Sequence, residues 1–175
     1  MRGSIRRLLQ LAVLATMMVV PLMVAAGPVL GSPSGGDSAV QQCGASTVSG
    51  QLIEIRREVF SETSEHVVYA VVTNDPRVNG IMDLWVDDAW ITEDGEVGFS
   101  GWWDMYTPTG SWHDDHFVGV ESAGYLSGKP YSITVLPDAA RGKGGNRGLV
   151  LSYSAFKAAG NGAKFTMAGS ITAAH

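Results

Sequence analysis

Cysteine is nearly absent: one residue, Cys43, in a chain of 175. That excludes a disulfide-stapled scaffold and a multi-cysteine zinc site. Charge is sparse at 17% and leans acidic, with Lys+Arg 12 against Asp+Glu 17 and a formal net charge of −5. A general nucleic-acid binder needs a basic face, so no nucleic-acid partner is expected. There is no Asn-x-Ser/Thr acceptor, no G-x-S-x-G elbow and no G-x-G-x-x-G opening a helix, which removes glycosylation, the serine-hydrolase turn and dinucleotide binding. No cofactor is implied. Hydrophobic residues at 45% and Gly at 22 are incompatible with a disordered acidic tail or a collagen-like chain. The length suits one domain.

One long apolar run is present. Arg2, Arg6 and Arg7 precede Leu8–Ala26, which is apolar apart from Gln10 and Thr16. A basic segment followed by an apolar one is the secretory pattern. Residues 1–26 are therefore expected to be a signal peptide, with cleavage after Ala26 or Gly31, and the mature protein to be secreted. The alternative is an uncleaved anchor, because Leu8–Leu30 reaches the roughly 20 residues a bilayer needs. Membrane association is expected only in that case. Residues 27–47 are Gly/Ser/Pro-rich and read as a flexible linker. Cys43 sits in it, and an odd thiol in an oxidising compartment invites a disulfide-linked dimer.

From residue 48 to 175 the chain breaks into short β-branched and aromatic segments punctuated by Gly, Pro, Asn and Asp. The expected strands are Val48–Phe60, Glu65–Thr73, Ile81–Ile91, Val97–Tyr106, Ser111–Gly119, Lys129–Leu136, Leu149–Lys157 and Lys164–Thr172. No connection has room for a crossover helix, so neighbours must be antiparallel. The fold class is all-β. It is an eight-stranded up-and-down meander, closed into a barrel that removes its edges, with a β-sandwich as the alternative.

The turns predict a register. Asp94-Gly95 as a two-residue hairpin turn sets Trp90 against Phe99, Val86 against Trp103 and Leu84 against Met105. The turn at Thr107–Gly110 sets Met105 against Trp112 and Trp103 against Asp114. The inner face is then Leu84, Val86, Trp90, Phe99, Trp103, Met105, Trp112 and Val118. The outer face gathers Asp83, Trp85, Asp87, Trp102, Asp104, His113 and Asp115.

The segments DPRVNG, GEVGFSGWWDMY, GSWHDD, GKGGNRGL and FTMAGSI resemble those of small exported bacterial barrels of the calycin-like or allene-oxide-cyclase-like kind. The resemblance spans roughly Gly50–Thr172 and implies fold and export. It carries no catalytic residue.

The expected site lies inside. Asp88, Gly101 and His116 fall in one row, and Gly101 leaves room for Asp88 and His116 to meet. An acid and a histidine so placed could transfer protons or orient a polar ligand group. With Asp114, Trp103 and Trp112 they form the candidate ligand site. His113-Asp114-Asp115-His116 alternates across the strand, so neither pair completes a tetrahedral metal site, and no metal is expected. The loop containing Arg141, Lys143 and Arg147 lacks the Lys-Ser/Thr ending of a phosphate loop and reads as a mobile connection. Three functions fit. The first is a non-enzymatic barrel holding a small, mostly apolar ligand among interior aromatics. The second is a cell-surface interaction module using Trp85 and Trp102. The third is an isomerase-, cyclase- or hydrolase-type enzyme using Asp88, Asp114 and His116.

Overall fold

The computed structural model describes residues 45–122, 124–160 and 162–174. The expected signal segment, Cys43 and most of the 27–47 linker lie outside the described residues. The strands are β1 (Ser46–Val59), β2 (Glu65–Thr73), β3 (Gly80–Ile91), β4 (Val97–Thr107), β5 (Gly110–Glu121), β6 (Ile133–Gly144), β7 (Leu149–Lys157) and β8 (Lys164–Ala173). They close into an antiparallel barrel in chain order, with β8 paired to β1. Closure excludes the sandwich. Ser46 and Thr47, read as linker, are the first residues of β1.

Bulges set which side chains point inward. The β3–β4 turn has three loop residues, not two. Thr92 N–H donates to the Glu96 carbonyl at 2.9 Å, and Gly95 takes φ 77°, a conformation glycine adopts without strain. Trp90 therefore pairs with Gly98 instead of Phe99. Asp87 then bulges out, shifting the register once more, so that Val86 pairs with Gly101 and Leu84 with Trp103. Two single shifts make a full pleat period. Leu84, Val86, Trp103 and Met105 thus keep their inward direction, whereas Trp90 turns outward and is 41% exposed. A third bulge sets Asp115 and His116 together against Trp102. Beyond it Phe117 points inward in place of Val118 and is fully buried.

Pro137 does not end a strand. It lies in a bulge of β6, where pairing to β7 passes from Val135–Ala155 to Asp138–Tyr153. Proline has no N–H to give a ladder, and a bulge tolerates that. Strand β6 therefore starts at Ile133, not Lys129, and runs on to Gly144. Arg141 and Lys143 pair with β5 and are not part of a mobile loop.

The middle of the barrel is packed. Trp103, Met105, Trp112, Phe117, Leu151 and Met167 are each at most 1% exposed. Eight strands leave an interior that side chains can fill. One end is plugged by the 3-10 turn Pro76–Val78, whose Val78 is fully buried. The Trp112 indole N–H donates to the Arg77 carbonyl at 2.6 Å, tying the plug to the core.

Candidate functional site

The five expected site residues separate. Trp103 and Trp112 are core, and Asp114 is inside at 3% exposure. Asp88 and His116 are exposed on the outside. The bulges at Asp87 and at Asp115/His116 reverse the direction of each. Gly101 pairs with Val86 and Phe117, so the Asp88–Gly101–His116 row does not form. Nor does Gly101 leave a gap, because a Cβ there would collide with the Trp85 carbonyl.

Asp114 belongs to a buried chain. The Trp103 indole N–H donates to the Tyr153 hydroxyl at 2.7 Å, and that hydroxyl donates to Asp114 Oδ2 at 2.6 Å. The His116 backbone N–H donates to Asp114 Oδ1 at 2.9 Å. Burial raises the Asp114 pKa, opposed by the bonds from Tyr153 and His116. Every polar group in this chain is partnered, as a structural element of a core must be. The cavity beside it, lined by Leu84, Trp103, Phe117 and Tyr153 among others, measures about 20 Å³. That holds about one water, whereas small-molecule pockets run from about 300 to 1,000 Å³. The apolar middle has no space for a ligand.

The outer face carries an aromatic ladder. His66 stacks on Trp85 at 4.2 Å between ring centres, and Phe60 and Trp102 each lie 5.8 Å from Trp85 with near-parallel planes. Below it, Asp83 and Asp104 are directly paired across β3 and β4. His66 Nε2 lies 3.0 Å from Asp83 Oδ1, and His113 Nδ1 lies 2.9 Å from Asp104 Oδ1. Each histidine thus sits against one of two neighbouring acids. Among the described residues no group of three or more such side chains could hold a metal ion.

The end of the barrel opposite the plug collects charge inside the wall. A bulge at Ile55 turns Arg57 inward, paired with Val67. Its Nη1 lies 2.6 Å from both Glu65 carboxylate oxygens, and its Nη2 lies 2.9 Å from Glu54 Oε2. Glu121 faces inward at the end of β5, between Val97 and Ile133, and Ile133 pairs in turn with Lys157. Tyr125 and Tyr131, from the β5–β6 loop, meet edge to face at 4.9 Å. Lys157 Nζ stands 5.1 Å from the centre of the Tyr131 ring. Tyr69 is only 4% exposed and packs its ring edge-on against Phe165. Val59, paired with Glu65, and Ile91, paired with Val97, end their strands at this rim and are each about half exposed.

This end is short of partners. Among the described residues, the hydroxyls of Tyr69, Tyr125 and Tyr131 and the carboxyl of Glu121 make no hydrogen bond or ion pair. Burial, followed by the charge of Glu65, raises the Glu121 pKa to about 7, with Arg57 and Lys157 opposing. Burial, then Arg57, lowers that of Lys157. Burial also raises Tyr69, and pushes Tyr125 up to about 12.

The sequence reading missed this cluster, although a signal for it exists. Glu65 is in phase with Val67, Tyr69 and Val71, and Lys157 with Leu151, Tyr153 and Ala155. Each is a charge on the end of an apolar stripe. Alternate turns bring such ends to the same mouth. Compared with protein families, curated proteins and solved structures, the chain finds no match.

Proposed function

We propose that this is an exported, non-enzymatic barrel that binds a small amphipathic molecule at its open end. The observation that carries this reading is the set of unpartnered polar groups at the mouth, above a packed floor. The Tyr69 hydroxyl and the Glu121 carboxyl make no bond among the described residues, and neither is sealed from water, so both are free to take up a ligand group. A pocket with apolar walls and a few polar groups is the usual form of a small-molecule site. Export rests on Arg2, Arg6 and Arg7 ahead of Leu8–Ala26.

An amide NMR titration with neutral, cationic and anionic hexyl compounds tests the location. Shifts clustered at Tyr69, Glu121, Tyr125, Tyr131 and Lys157 are expected. Shifts confined to Trp103 and Trp112 would return the ligand to the core.

The outer ladder supports a second reading, recognition of a basic peptide. Asp83, Asp87, Asp104 and Asp115 surround Trp85 and Trp102, and tryptophan faces attract cations. Quenching of tryptophan fluorescence by a lysine-rich peptide, lost in Trp102→Ala, is the expected signature.

A further inference from the structure

We propose that the ligand of the open end is a protonated primary amine carried on a short apolar body; this rests on the small-molecule reading of that end and gives it a chemical class. The charge balance points to a cation. Glu54 and Glu65 share the single guanidinium of Arg57. Glu121 adds a third carboxylate, and among the described residues the cations that act on it are Arg57 and Lys157. With Glu121 ionised the group is one negative charge in excess. An anionic ligand would find Arg57 already occupied on both sides by carboxylates, and would face Glu121.

The aromatic arrangement points the same way. Lys157 already stands over the Tyr131 ring, so this wall accepts an ammonium at its face. Tyr125 stands edge-on beside it. An ammonium has three donors and no acceptor. The unpartnered oxygens here, the Glu121 carboxylate and the Tyr69 hydroxyl, are what it needs. A quaternary ammonium could use the rings but not these oxygens. The apolar body would rest on Val59 and Ile91, which are about half exposed at this rim.

The charged groups that act on Glu121 are Glu65, Arg57 and Lys157, and Glu121 in turn acts on Tyr69, Tyr125 and Tyr131. Burial raises the Glu121 pKa to about 7, so Glu121 changes charge near neutrality. A hexylammonium ion stays protonated throughout that range.

Calorimetric titration of the purified protein with hexylamine, hexanol and hexanoate, combined with the amide NMR shifts, is the test. Hexylamine is expected to bind at least about tenfold more tightly than the other two. Its affinity should rise about tenfold from about pH 5 to about pH 8, as Glu121 ionises. Glu121→Gln should remove both the preference and the pH dependence, and Tyr69→Phe should weaken hexylamine alone. Asp88→Ala, on the outer wall, should change nothing. Equal or tighter binding of hexanoate, or an unchanged hexylamine affinity in a folded Glu121→Gln protein, overturns the amine class. If hexanol or hexanoate then still shifts Tyr125 and Tyr131, the small-molecule site survives with a different ligand. If none of the three shifts them, both proposals fall together.

Discussion

At the plugged end of the barrel, Asp75 accepts a backbone N–H and two guanidinium bonds from Arg77, and a hydroxyl bond from Ser46. At the open end, Glu121 accepts nothing among the described residues. Both are acids at the rim of one β-barrel, and their environments act in opposite directions. The bonds from Arg77 hold Asp75 down at about 2, whereas burial raises Glu121 to about 7. The plugged end has the chemistry of a finished structure. The exception is the amide nitrogen of Asn146, which is buried there without a partner. The open end keeps carboxylate, hydroxyl and ring faces in reserve. On the proposed small-molecule reading, that unused capacity would receive the ligand, at some cost in stability to the free protein.

The largest effect that would sharpen this contrast is expected at the plug. Trp112→Ala removes a fully buried ring and the bond to Arg77. It should destabilise by about 3–5 kcal/mol. Phe60→Ala, just beyond β1 at the open end, should stay within about 0.5 kcal/mol because Phe60 is 58% exposed. Denaturant midpoints measure both. Similar losses at the two sites would erase the distinction between the ends.

Next in size is Tyr153→Phe in the packed middle. The change strands the Trp103 indole N–H and takes one bond from Asp114. A cost of about 1–3 kcal/mol is expected, since a buried donor left without a partner loses its solvation outright. Thermal or chemical denaturation of the variant gives the value.

The two rim acids should move stability in opposite directions with pH. For Asp75 the folded pKa lies below the unfolded 3.8. Its contribution is present above about pH 4 and is lost as pH falls towards 2. For Glu121 the folded pKa lies above the unfolded 4.5. Its contribution is full below about pH 4.5 and is lost as pH rises through about 7. Glu121→Gln should therefore stabilise the protein at about pH 8 and leave it unchanged near pH 4. Because Glu121 is only half-buried, the gain should be about 1–2 kcal/mol, less than the full shift would give. Paired melts of wild type and variant at the two pH values decide the sign. A destabilised variant at pH 8 would mean that Glu121 is already satisfied.

Much of this architecture was legible in sequence. Eight strands, their antiparallel order and the inward Trp103 and Trp112 follow from turn residues and period-two alternation. The site was not, because alternation holds only until a bulge. Asp87 and the Asp115-His116 pair each insert one residue, and that is enough to put Asp88 and His116 on the wrong face. Nothing in the residue types at those positions marks a bulge in advance. The inward direction of Arg57 likewise depends on a bulge at Ile55. Glu65 and Lys157 need no such correction. They were passed over because a charge at the end of a strand is ordinarily a solvated one.

The smallest expected effect makes the finest comparison, between two buried tyrosines. Tyr153 has a donor and an acceptor at its hydroxyl. Tyr69 is as deeply buried, at 4% exposure against 6%, but its hydroxyl has no partner among the described residues. Removing a polar atom that makes no protein bond forfeits none. Tyr69→Phe should therefore change stability by no more than about 0.5 kcal/mol, in either direction. The ring, its contact with Phe165 and the packing around it stay in place. Denaturant unfolding of Tyr69→Phe beside Tyr153→Phe, in one buffer, gives the comparison directly. A loss at Tyr69 as large as that at Tyr153 would show that its hydroxyl is part of the fold. The small-molecule reading of the open end would then lose one of its two free oxygens.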